Sequence, residues 1–170
     1  MAEVEQIDAD AQYWLDCFSR ARNGDEARRF LNAFLGELYR LYIATWPEAK
    51  SAKDRFFGEI RSNDQYLRLD VLTMYLRGSG VHDLTVNTEV QHGQLYPSAN
   101  LFPGPYTVPG PQYHFPSRDP RMGRGVTHDR ELLQDGYDRL IRGAPVLPTI
   151  YGALLAVRAL SSKESASGAR

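Results

Sequence analysis

With one cysteine, Cys17, the chain cannot close an internal disulfide, and nothing in its cysteine usage points to an oxidising compartment. Cys17 falls on an apolar helix face, where a buried structural thiol is expected. Net charge is also nearly absent, at -1, which excludes a global field drawing the molecule onto nucleic acid or an anionic membrane, although a local patch remains open. Lysine is scarce: Lys50, Lys53 and Lys163 are the only three among 20 basic residues. The rest are Arg, whose planar fork suits carboxylate and phosphate, though biased coding composition explains the preference equally well. No apolar run is long enough to span a bilayer, so no membrane association is expected. The opening MAEVEQIDADAQ lacks the basic flank and apolar stretch of a secretion signal, and the expected location is cytoplasmic. The phosphate-binding GxxxxGK[ST], a GxGxxG after a strand, HExxH, paired CxxC and GxSxG are all missing, which removes the familiar nucleotide, zinc-protease and hydrolase signatures.

What is present suits one globular domain. At 170 residues, with 42% apolar and 24% charged residues, the chain can bury a core without covalent staples. Periodicity predicts a first helix from about Asp8 to Arg22, with Ala11, Trp14, Leu15 and Phe18 on one stripe. A second follows, capped by Asp25, through Ala27, Phe30, Leu31, Phe34, Leu35, Leu38, Leu41 and Tyr42, and stops near Pro47. A shorter, more polar helix is expected over Glu48 to Arg61, held by Phe56, Phe57 and Ile60. Asn63 or Asp64 then caps a fourth, DQYLRLDVLTMYLR, which is apolar around most of its circumference and therefore belongs at the centre of a bundle.

Gly78-Ser79-Gly80 ends that helix. Leu84, Val86 and Val90 suggest a strand, with a turn at His92-Gly93 into a second strand near Leu95-Tyr96. Seven of the ten prolines lie between Pro97 and Gly125, which predicts an irregular loop. Helices return after Thr127, over RELLQDGYDRLIRG with Gly136 as its weak point, and from Pro148 to Leu160. The expected fold class is mainly α: a helical bundle with a small β-hairpin and a long Pro/Gly-rich loop. Residues 1–160 form the single domain and 161–170 read as a disordered tail.

Chemistry concentrates at Arg77 and His82. Arg supplies a permanent charge and a donor fork for a scissile phosphate; His titrates near neutrality and can exchange a proton with the 2′-hydroxyl or the leaving oxygen of RNA. Five residues apart on an ideal helix, they would point about 140° away from each other. The Gly78-Ser79-Gly80 break allows the chain to bend and bring them to one site. Arg121 and His128 form a looser pair of the same kind.

The order of the FLNAFLGELYRL helix, a segment with Asn63, Asp64, Leu67 and Arg68 leading into an apolar helix, and Arg77-x4-His82 before a hairpin resembles HEPN-like proteins. The likeness covers roughly residues 10 to 95, and the helix near Glu131 to Arg142 corresponds to the family's final helix. The resemblance implies an all-helical bundle, often a homodimer with two such motifs facing each other. Many members are metal-independent RNases of toxin–antitoxin and phage-defence systems, with no cofactor. By position, Arg77 would bind the phosphate and His82 would be the catalytic histidine, with RNA as substrate and an antitoxin protein as partner. The residue after the Arg is usually polar in active nucleases, and here it is Gly78.

Other groups carry weaker signals. His82, Asp83, His92, His114 and His128, with Asp119 or Asp129, match no standard metal-site spacing, so surface and turn roles are expected. The aromatics between Tyr96 and Phe115 suit base stacking or, equally, a packed surface loop. Glu37 and Asp70 could orient the Arg–His pair, or pair structurally with Arg40 or Arg68. Two further readings stay open: a non-catalytic helical binding module, and an unrelated small-molecule enzyme using the loop histidines.

Overall fold

A computed structural model describes residues 2–76, 89–91, 112–115 and 130–167. Six α-helices, one π-helical segment and two short strands account for nearly all of them. Helix α1 spans Ala2–Ser19 and α2 spans Gly24–Ala44. The first begins earlier than its periodicity from Asp8 suggests, because Ile7 extends the buried stripe of Ala11, Leu15 and Phe18 by one turn. Cys17 is half-buried, not enclosed as expected. Asn23, not Asp25, caps α2: its side chain accepts from the Glu26 N–H at 2.9 Å, and the Glu26 carboxylate accepts from the Arg22 N–H at 2.9 Å. Together the two bonds hold the tight turn between the two helices.

Helix α3, Lys50–Arg61, is followed by α4, Asp64–Asp70, capped by Asn63. Without interruption α4 widens into a π-helical segment, Val71–Leu76. The Thr73 hydroxyl donates to the Leu69 carbonyl at 2.8 Å and lies 3.3 Å from that of Asp70, which provides partners where the ordinary ladder is displaced. Leu67, Leu69, Asp70, Val71, Leu72, Thr73, Tyr75 and Leu76 are all buried, as the apolar circumference predicts. This continuous α4–π unit packs on α2, α3 and both C-terminal helices and is the centre of the bundle.

Those helices are α5, Arg130–Leu140, and α6, Val146–Ser167. Tyr137 stacks on Tyr75 at 5.5 Å. Gly136 lies against the central unit so closely that a Cβ there would sit 2.9 Å from Val71 Cγ2. Its absent side chain, a cost to helix propensity, is what lets α5 approach. Gly143 turns the chain at φ 67° and α6 begins three residues on, running through Ser167 over most of the segment whose composition reads as tail. Among the described residues no helix is long and apolar enough to cross a membrane.

Strand β1 is Glu89–Gln91, within the expected strand, and it pairs antiparallel with β2, Gln112–His114. The partner therefore comes from the stretch read as loop. Leu95 and Tyr96, expected to supply it, lie outside the described residues. Burial explains the choice of β2. Phe115 is fully enclosed, Tyr113 meets Phe18 at 5.6 Å, and the Phe115 N–H donates to the Ala144 carbonyl at 3.0 Å. Two aromatic side chains outweigh the prolines around them.

Candidate functional site

A carboxylate lies deep in the bundle. Asp70, the last residue of α4, is wholly buried, and two further helices converge on it. Tyr42, near the end of α2, directs its hydroxyl to Oδ1 at 3.2 Å; Arg61, the last residue of α3, directs Nε to Oδ2 at 3.3 Å. Burial, then the Asp70 charge and the hydrogen bond donated to it, push the Tyr42 phenol far above its ordinary range, so it remains a donor at physiological pH. Arg61 also lies over the Phe57 ring at 5.2 Å, which holds the guanidinium at the mouth of the buried pair. Asp70 thus fixes the junction where the α-helix becomes a π-helix.

Tyr42 belongs at the same time to an aromatic cluster. Its ring meets Trp46 at 5.6 Å and Phe56 at 6.5 Å, and Trp46 meets Tyr39 at 6.5 Å and Phe57 at 5.2 Å. The Lys53 ammonium stands 4.2 Å from the centre of the Trp46 ring. The Tyr42–Asp70–Arg61 arrangement was not part of the sequence reading, which offered Arg68 as the structural partner of Asp70. An aspartate inside the apolar run from Leu67 to Leu76 was the visible signal; its partners come from helices 28 and nine residues away. Arg68 is half-buried, with its Nε enclosed and unpartnered.

Arg77 and His82 lie outside the described residues, as do Gly78, Arg121 and His128. Leu76, the last described residue of the central unit, precedes Arg77 in the chain. Glu37 takes its structural alternative and pairs with Arg40 at 2.8 Å. Asn63 caps α4, Asp64 pairs with Arg139 of α5 at 3.0 Å, and Leu67 is core. His114 places Nδ1 3.0 Å from the Gly143 carbonyl, a structural contact between β2 and the turn before α6. His82, Asp83, His92, Asp119, His128 and Asp129 lie outside the described residues, and among those described no group of three His, Cys, Asp or Glu side chains could hold a metal. A cleft of about 320 Å³ between α1 and α6 is lined by Val4, Asp8, Leu41, Val157 and Arg158 among others, but its guanidinium is already bound by Asp8 at 2.7 and 2.9 Å.

No family model matches the chain, and neither a curated protein nor a solved structure matches it.

Proposed function

We propose that the chain is a HEPN-like, metal-independent endoribonuclease of a defence or toxin–antitoxin system, working as a homodimer with Arg77 and His82 at its site. The observation that supports this reading is the central unit. A helix buried on nearly every side, pinned at Asp70 by a tyrosine and an arginine, takes π geometry over Val71–Leu76, the residues that immediately precede Arg77-x4-His82 in the sequence. Single-turn π segments recur at functional sites because they reposition side chains at the expense of regular bonding.

In this reading Arg77 holds the scissile phosphate. His82 accepts the proton of the 2′-hydroxyl, whose oxygen attacks phosphorus as the bond to the 5′-oxygen breaks, leaving a cyclic phosphate and a 5′-hydroxyl. The protonated imidazole is then able to return its proton to the departing oxygen. Two copies would place two motifs in one cleft.

The test compares wild type, Arg77→Ala and His82→Ala on total RNA in excess EDTA. Wild-type cleavage, reduced about 10²–10⁴-fold in each variant, is the expected result. Absence of cleavage by a folded wild type would remove the enzyme reading. Gly78 favours a second reading, a non-catalytic binding module, since the position after the Arg is usually polar in active nucleases. RNA retention without cleavage is what that reading expects.

A further inference from the structure

Helix α6 is apolar on both of its sides. From Val146 to Val157 it carries no charged residue, and the hydroxyl of Thr149, a buried residue, already donates to the Pro145 carbonyl at 2.7 Å. The inner face, with Ile150, Ala153, Leu154 and Val157, packs on α1, α2 and α4. The outer face holds Leu147, Tyr151 and Leu155, which are 39%, 48% and 43% exposed and stand one turn apart on a ridge that Ala159 continues. Charged residues occupy the exposed sides of α1, α2, α3 and α5, among them Asp16, Arg29, Glu59 and Asp138. A helix that is apolar all round is ordinarily enclosed. Arg158, the guanidinium next to this ridge, is held by Asp8 at 2.7 and 2.9 Å.

We infer that this outer face is the contact through which two copies of the chain associate, α6 against α6. The inference goes beyond the nuclease reading and uses none of its chemistry. An uncharged face has nothing with which to select a nucleic acid, an acidic peptide or an anionic membrane, whereas a second copy brings an identical ridge and no like charge to repel it. Shape favours the same occupant. Residues four apart form the ridge that interdigitates with another of its kind at a crossing of about 50°. Beside it runs a shallower row, Pro148, Gly152 and Ala156, where a Cβ at Gly152 would meet nothing within 4 Å. Across a two-fold axis near Gly152, Tyr151 and Leu155 of each copy fill the trough that the other offers. Area sets the strength. The exposed parts of the three large side chains come to roughly 200 Å² on each copy, so with the residues around them the pair stays below about 1,200 Å², the range of reversible contacts. A dimer with a Kd of about 1–100 μM is therefore expected.

Sedimentation velocity of the full-length protein from about 1 to 300 μM measures the association, under reducing conditions so that Cys17 cannot link copies. A shift from monomer to dimer across that range is expected. Leu155→Glu, which sets a carboxylate in the contact twice over, should raise Kd at least about 100-fold, and Tyr151→Ser, which adds no charge, about tenfold. Tyr13→Ser on α1, where the ring is 59% exposed, should leave Kd unchanged and controls for loss of apolar surface elsewhere. Far-ultraviolet circular dichroism checks that each variant is folded. A protein still monomeric at about 300 μM, a dimer unaffected by both α6 substitutions, or equal weakening by Tyr13→Ser overturns the inference. Binding of such a monomer to neutral phosphatidylcholine vesicles would assign the ridge to lipid instead. RNA cleavage in EDTA is scored apart from association. A monomeric Leu155→Glu protein that cleaves as well as wild type keeps the contact and removes the homodimer from the nuclease reading; a wild type that dimerises without cleaving keeps the contact and removes the nuclease.

Discussion

At Asp70 the energetic stakes are those of a buried charge. Removing a carboxylate partner leaves a desolvated group behind, so Tyr42→Phe, which deletes one donor and little volume, is expected to cost about 1–3 kcal/mol in urea denaturation. Asp70→Ala strands Arg61 as well; because that side chain is one-quarter exposed and can reach water, the loss should fall near the low end of the usual range, about 3 kcal/mol. Tyr42 also sets an alkaline limit. Its phenol, raised above the ordinary 10.0 by burial and by Asp70, holds its proton more tightly folded than unfolded. The stability this supplies is complete below the ordinary value and is lost as pH rises above it toward the folded value. Tyr113, raised by burial and then by Glu26, acts in the same direction. Urea midpoints should therefore be insensitive to these phenols through neutral pH and fall above about 10, less steeply in Tyr42→Phe. A midpoint that falls equally in wild type and variant would assign the alkaline loss to other groups.

The helices were legible as elements because their stripes are long and uninterrupted; some boundaries shifted where a cap or one extra apolar turn decided them, as at Asn23 and Ile7, and α6 ran on through Ser167, where composition reads as tail. What periodicity could not show was which helix face meets which neighbour. Gly136 is the instructive case. Within its own helix it lowers propensity, yet the Cβ it lacks would lie 2.9 Å from Val71 Cγ2 and 3.4 Å from Leu67 Cγ. A β-branched methyl in a packed core has little room to move, so Gly136→Ala should lose about 1–3 kcal/mol to overpacking. The recovered helix propensity, about 1 kcal/mol, offsets only part of that. Gly58 of α3, where a Cβ meets nothing within 4 Å, should respond in the opposite sense, with Gly58→Ala gaining about 0.5–1 kcal/mol. Thermal denaturation of the two variants decides between a propensity account, in which both gain, and the contact account, in which they diverge. The strand β2 was illegible for a related reason: prolines dominate its surroundings, and only tertiary burial of Tyr113 and Phe115 shows that this short piece belongs to the core.

For the whole molecule, a central helix was readable from its apolar circumference, and an aspartate within it marked a polar anchor; Tyr42 and Arg61 were not readable, since no local pattern brings three helices together. The ends of the chain supply one more long-range tie. Arg158 of α6 donates to both oxygens of Asp8 at 2.7 and 2.9 Å and reaches Gln12 at 3.2 Å, joining the first and last helices across 150 residues. Each partner of the ion pair is about one-third exposed, so water screens the attraction, but the fork geometry confines it to one arrangement. A double-mutant cycle with Asp8→Asn and Arg158→Gln should give a coupling of about 0.5–1 kcal/mol at low salt, shrinking in 1 M salt, where the screening length is about 3 Å. Coupling at that level means that α6 is held to α1 partly by charge and that salt loosens the closure of the bundle. A coupling indistinguishable from zero would instead assign the closure to Ile7, Ala11 and the buried face of α6, and stability would then be nearly independent of salt.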